Sequence, residues 1–438
     1  MRIKDKKKEF NDKNSIRNQE DFSIRHPRAK TEHRKINKNP TNRIENLEKT
    51  FPNRNIGKYI VPIVPDEART FGMESLFRKV GIYSSVGQNY EPVDSEMLLY
   101  YREDKTGQIL EEGITEAGSM SSFIAAGTSR YSHGVPMIPF FIFYSMFGFQ
   151  RIGDLAWLFS DMMGNGFLIG GTAGRTTLAG EGLQHQDGQS HLYAQAIPNI
   201  KAYDPAFAFE VAVIVLNGIK EMYSELKDVW YYLTLGNENY PMMPMPEGVE
   251  EGIRRGIYKL RPAEKGEAVA QLFGSGAILN EALRAQETLF GRYEIGVNVW
   301  SVTSYNEIYK DAIEVDRWNI LHADEQRTAY IVEVLEGEEG PVIAASDYVK
   351  SLPNQLGPWI KNGITALGTD GWGRSDMRDK LREYFEVSAE YIVFTVLSQL
   401  VRTGKVEKEL LSRATDELGI NVNKSDPVKP GVIAGRNK

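Results

Sequence analysis

Between residues 58 and 236, short apolar runs alternate with longer segments of helical period, and this alternation most constrains the fold. KYIVPIVP (58–65), VPMIPFFIFYSMF (135–147), GFLIGG (166–171) and DVWYYLTLG (228–236) are rich in β-branched and aromatic residues and read as strands. FGMESLFRKVGIY (71–83), EEGITEAGSMSSFIAAGTSRY (111–131), FQRIGDLAWLFSDMM (149–163) and FAFEVAVIVLNGIKEMYSE (207–225) read as helices. Strands apolar along their whole length are buried on both faces, which predicts a parallel sheet covered by helices on each side. NENYPMMPMPEG (237–248) interrupts the pattern, and its prolines mark a boundary. A second set follows, with strands at EAVAQLFGSG (267–276), YEIGVNVWSV (293–302) and PVIAASDY (341–348). Its helices are ILNEALRAQETLF (278–290) and the stretch from Met377 to about Arg402. The expected class is therefore α/β, with two consecutive parallel-sheet domains at 53–250 and 251–438 behind a tail at 1–52.

Charge sets the tail apart. Residues 1–50 carry 15 Lys and Arg against 8 Asp and Glu, whereas the rest of the 438-residue chain is acidic. The tail reads as a solvated, disordered arm, since it lacks interleaved aromatics and any nucleic-acid-binding signature. The acidic body argues against a nucleic-acid surface. With no cysteine, disulfides, thiolate metal sites and a thiol nucleophile are excluded, which fits a reducing, cytoplasmic setting. No apolar run is long enough to span a membrane, and MRIKDKKKEF lacks the apolar core of a secretory signal.

In open parallel sheets ligands sit at the carboxyl ends of strands. The unusual segments fall there: PDEART (65–70), YSMFGFQR (144–151) and GTAGRTTLAGEGLQHQDGQSH (171–191). GGTAGR has the backbone to cradle a phosphate, but it matches neither a P-loop nor GxGxxG. His185, Asp187 and His191 lack the spacing of a zinc site, so no metal ligands are assigned. Glu116, in GITEAGS, is an acid at a helix start, a position the helix dipole favours without any catalytic role. Tyr144 and Phe147 are by default core aromatics.

Taken together these segments carry a family resemblance. VPIVPDEARTFGMESLFRKVGIYS, QILEEGITEAGS, PFFIFYSMFGFQRIGDLAW and GFLIGGTAGRTTLAGEGLQHQDGQSH resemble the C-terminal portion of the homodimeric bacterial pyruvate dehydrogenase component. The similarity continues through NENY, EGIRRGIYKL, SVTSYNE, ALGTDGWGRSD and REYFEVSAEYIV, over roughly 56–438. It implies a transketolase-like fold, with 53–250 as the pyrimidine-binding domain of a thiamine diphosphate enzyme and 251–438 as its C-terminal domain. It also implies pyruvate as substrate and acetyl transfer to lipoamide on an acyltransferase partner.

By the same resemblance Glu116 is the glutamate that acts on the aminopyrimidine ring of the cofactor. Phe147 packs on that ring, with Tyr144 beside it. Asp66 and Glu67 are acids near cofactor and substrate, Glu67 being grouped with the catalytic residues. His185 contacts substrate, while Glu181 and His191 support the site. The family's usual HEDGHSH is here HQDGQSH, with Gln186 and Gln189 in place of an acid and a histidine. The family's GDG motif, which holds Mg2+ on a diphosphate-binding domain, has no counterpart beyond GDL (153–155) and DGW (370–372). The implied partners are a diphosphate-binding domain or chain, a second copy of the chain and the lipoyl acyltransferase. The alternatives are a non-catalytic, dimerising or binding remnant of that enzyme and another transketolase-like thiamine enzyme. An exposed apolar face lined by Phe140, Phe141, Phe143 and Phe147 is also expected.

Overall fold

A computed structural model describes residues 56–428, apart from residues 66, 67, 69 and 92–101. The proposed tail at 1–52 lies outside the described residues. In chain order the strands are β1 (Ile60–Val64), β2 (Ile82–Tyr83), β3 (Glu103–Asp104), β4 (Leu110–Glu111), β5 (Ile138–Tyr144), β6 (Phe167–Gly171), β7 (Ile200–Tyr203) and β8 (Trp230–Leu235). They continue with β9 (Ile257–Arg261), β10 (Gln271–Gly274), β11 (Asn298–Val302), β12 (Val342–Ala345) and β13 (Ile364–Leu367).

Two sheets hold the architecture. The first has six strands in the order β4-β1-β5-β6-β8-β7, all parallel. The second has five in the order β13-β12-β10-β11-β9, parallel except where β9 runs against β11. The alternation read from the sequence is thus the observed fold. β5 and β6 are central and buried throughout, apart from half-buried Tyr144 at the end of β5. This is why their sequences are continuously apolar rather than alternating. In the second sheet the faces separate by parity: Leu272, Val299 and Ile343 join one apolar cluster, while Phe273, Trp300 and Val342 join the other.

The structure differs from the sequence reading in several places, the short strands β2, β3 and β4 and the helix Lys408–Glu417 among them. The strands β7, β9 and β13 and the helix Tyr305–Leu321 were not anticipated. Met377–Arg402 is two helices, Arg378–Phe385 and Ala389–Arg402, separated where Glu386 adopts φ 63°. Phe140, Phe141 and Phe143 do not line an exposed face, because they point into the core of the first sheet at 3%, 0% and 0% exposure. The exposed large apolar residues of this region include Trp157 and Leu158, on the outer side of the helix Phe149–Asp161.

The two sheets are joined by buried polar ties. Glu210, fully buried near the start of the helix Ala208–Ile219, accepts from Phe207 N at 2.9 Å, Tyr258 Oη at 2.7 Å and Ser301 Oγ at 2.6 Å. A buried carboxylate costs several kcal/mol unless its lone pairs are filled, and here donors from both units fill them. Arg382 pairs with Glu238, from the segment between the sheets, and with Glu281 at 3.1 Å.

Candidate functional site

In the first sheet the chain steps from β1 outward to β4, then returns past β1 to β5 and continues to β6. The carboxyl ends of β1 and β5 therefore flank the crevice where such sheets bind ligands. The helix Glu116–His133 begins there. Thr115 caps it, its Oγ1 accepting from Gly118 N at 3.2 Å, so Glu116 occupies the first turn in the favourable field of the helix amides. Glu116 is buried, and both of its oxygens accept from Arg151 Nη1 at 2.8 Å. Arg151 stands one helical turn beyond Phe147, and this spacing lays its guanidinium 4.2 Å from the centre of the Phe147 ring.

His185 reaches the same place from the turn Leu183–His185. Its ring stacks near-parallel on Tyr144 with centroids 5.2 Å apart, and meets Phe147 edge-on at 5.2 Å. Tyr144 in turn contacts Phe71 at 5.2 Å. His185 Nδ1 lies 3.3 Å from Glu181 Oε2. An unbroken contact path thus runs Glu116–Arg151–Phe147–His185–Tyr144, with Glu181 on its rim. It presents a carboxylate, half-buried aromatic planes and an imidazole beside an acid, groups suited to proton transfer.

Of the residues singled out in the sequence, Glu116, Tyr144, Phe147, Glu181 and His185 come together. Asp66 and Glu67, just past β1, lie outside the described residues. His191 sits elsewhere, buried between the two units, 3.0 Å from Thr234 Oγ1 and packed against Tyr348 with centroids 4.7 Å apart. Burial pushes its pKa down to about 3, so it is neutral near pH 7. Arg151 was missed, although its spacing from Phe147 is a readable signal. Asp347 was missed because its contact lies far along the chain.

Asp347 changes the reading of GGTAGR. Thr176 N donates to both Asp347 oxygens at 3.1 Å, so the turn that resembled a phosphate cradle already holds an anion of the protein's own. Gln186 is buried and pairs with the backbone of Arg374, accepting from its N–H at 2.7 Å and donating to its carbonyl. Gln189 accepts from Arg175 at 3.2 Å. A crevice of about 600 Å3, lined by Ala179 of the first unit and by second-unit residues such as Arg284, Arg378 and Glu390, includes none of Glu116, Tyr144, Phe147, Arg151, Glu181 and His185. The crevice's charged groups are largely paired with one another: Arg284 with Glu281 and Glu390, and Arg382 with Glu281. Among the described residues no cluster of three or more His, Asp or Glu side chains is placed to hold a metal ion, and no helix is long and apolar enough to cross a membrane.

The family model described as pyruvate dehydrogenase E1 component middle domain matches residues 30–243, and the transketolase-like C-terminal domain model matches 256–388. Over 385 residues the chain is 53% identical to the pyruvate dehydrogenase E1 component of Pseudomonas aeruginosa. The chain belongs to the pyruvate dehydrogenase E1 family. The E1 component of Escherichia coli K12 is 50% identical over 384 residues. These alignments cover 87% of this chain but only 44% and 43% of the respective relatives, so the chain spans under half the length of the E1 components it matches, corresponding to their C-terminal part. The middle-domain match begins at residue 30, within the segment that its charge set apart as a tail. Among solved structures, transketolase from Campylobacter jejuni superposes with TM-score 0.60 at 18% identity, covering 82% of this chain and 46% of that one. Transketolase from Leishmania mexicana gives 0.59 at 18% identity, covering 78% and 43%. The fold is transketolase-like, as the resemblance implied.

Proposed function

We propose that this chain forms the pyrimidine-binding and C-terminal portions, 53–250 and 251–438, of a thiamine diphosphate-dependent pyruvate dehydrogenase. The reaction is oxidative decarboxylation of pyruvate with acetyl transfer to lipoamide on an acyltransferase component. The carrying observation is the buried Glu116 carboxylate joined through Arg151 to the half-buried Phe147, at the crevice between β1 and β5. An acid beside an aromatic plane fits an aminopyrimidine, and the GGTAGR turn, filled by Asp347, does not offer a second phosphate seat.

Thiamine diphosphate, when bound, supplies the carbon nucleophile and the electron sink for loss of carbon dioxide. Glu116 would supply the carboxyl group that exchanges a proton with the aminopyrimidine ring. Phe147 and Tyr144 give that ring an apolar wall. His185, its Nδ1 directed to Glu181, offers Nε2 to the substrate, and the family resemblance assigns Asp66 and Glu67 to cofactor and substrate. The diphosphate group and Mg2+ are held by the remaining length that family members carry, on the same polypeptide or a companion chain. A second copy of the chain and a cytoplasmic setting complete the assembly.

The test combines this chain with a companion carrying the diphosphate-binding half, thiamine diphosphate, Mg2+, pyruvate and a one-electron acceptor dye. Dye reduction that requires both chains and pyruvate supports the reading. Cofactor binding without any pyruvate-dependent reduction refutes it.

A further inference from the structure

The His185 segment belongs to the first sheet's connections, yet its anchors come from the second. Just before His185, Thr176 N donates to the Asp347 carboxylate and Arg378 Nε donates to the Thr177 carbonyl at 2.6 Å. Arg175, itself buried, reaches the Thr369 carbonyl. Just after His185, Val349 N donates to the Gly188 carbonyl at 2.9 Å. The anchors thus flank His185 on both sides, and two of them arise from the chain leaving β12.

We propose that Asp347 is a positioning residue: its carboxylate serves as the built-in anion of the Gly171–Thr176 turn and thereby sets the segment that presents His185. The turn is shaped for this occupant. Thr172 and Gly174 both have positive φ, 49° and 89°, and a Cβ on Gly174 would fall 2.2 Å from Asp347 Oδ2. Asp347 is 3% exposed, so bulk anions do not compete with it. Its own backbone is tied, since its carbonyl accepts from Thr369 Oγ1 at 2.7 Å. Thr369 also receives Arg175, so one residue ties both the backbone that carries the anion and the arginine beside the turn.

That His185 handles substrate rests on the reading above; the seat does not, and its test reads the loop rather than turnover. Amide hydrogen exchange is followed in the 438-residue chain as wild type, Asp347→Ala and Asp347→Asn, with and without sodium formate. In Asp347→Ala, exchange at Thr176 and across 183–189 rises on the order of 10-fold or more, as expected for loss of a charged acceptor. Formate entering the vacated seat restores most of that protection and leaves wild type unchanged. Asp347→Asn, which keeps the shape and one acceptor, gives an intermediate rise. Unchanged exchange in both variants overturns the proposal, as does a rise spread evenly over the chain that formate does not reverse. If Asp347→Ala is insoluble, Asp347→Asn decides alone: a local rise at Thr176 and 183–189 supports the seat, and wild-type exchange there overturns it. Turnover failing while the exchange pattern holds would condemn the assignment of His185 and not the seat.

Discussion

Glu116 and Arg151 share a single nitrogen: both carboxylate oxygens accept from Arg151 Nη1 at 2.8 Å. The acid is nearly buried while the arginine side chain is half exposed, so the pair is neither a surface ion pair nor a sealed one. Arg151 also covers one face of Phe147, which couples the acid to the aromatic plane through one movable side chain.

Arg151→Met should therefore cost about 1 kcal/mol of stability, because the buried Glu116 loses its hydrogen-bond partner. Urea unfolding checks this. Glu116→Gln with Arg151→Met should cost less than the sum of the single changes, and strict additivity would mean that the pair is not coupled.

Gly174→Ala and Gly180→Ala impose similar backbone strain, at φ 89° and 75°, but only the first meets an obstacle. A Cβ at Gly180 has nothing within 4 Å. The change at 180 should cost about 1–2 kcal/mol, that at 174 at least about 2 kcal/mol more, as clash with Asp347 is added to strain. Thermal unfolding of both variants separates the two contributions.

Legibility in the sequence followed the range of the interactions. β1, β5, β6 and β8 were readable because a strand buried on both faces must be apolar throughout. β7 and β13 carry polar or small residues among their four and were not. Glu116, Tyr144, Phe147 and His185 were picked out through motif resemblance, whereas no local pattern marks Asp347 or the ties from Glu210 to Tyr258 and Ser301, which join distant segments. The aromatic run of β5 was misjudged because the sequence alone does not tell a core strand from an interface strand.

His191 is neutral when folded, its pKa pushed down by burial to about 3 from 6.5. Its contribution is fully present above pH 6.5 and is lost as pH falls toward 3, by about 1.4 kcal/mol per pH unit. His191→Gln should flatten stability between pH 6.5 and 4 relative to wild type. Parallel slopes in urea titrations would show that His191 does not titrate in this way.

Asp347 works in the opposite sense. Burial, the dominant cause, raises its pKa to about 6, against the pull of Arg382 and with Glu238 adding to the rise. The folded state holds the proton more tightly, so stability present below about pH 4 is lost as pH climbs to about 6, on the order of 3 kcal/mol. Asp347→Asn should gain on wild type across that window. A stability difference independent of pH would contradict the raised pKa.

The central claim is that Glu116 acts on a cofactor ring rather than only starting a helix. Exchange of the thiazolium C2 proton of thiamine diphosphate for deuterium, followed by proton magnetic resonance, tests it most directly. The sample is the chain assembled with its diphosphate-binding companion, as wild type and as Glu116→Gln. The amide keeps the shape but cannot pass a proton, so exchange should slow by about 100- to 10,000-fold while the cofactor stays bound. Equal exchange rates with cofactor bound in both would contradict the account, leaving Glu116 as a helix-start acid paired with Arg151.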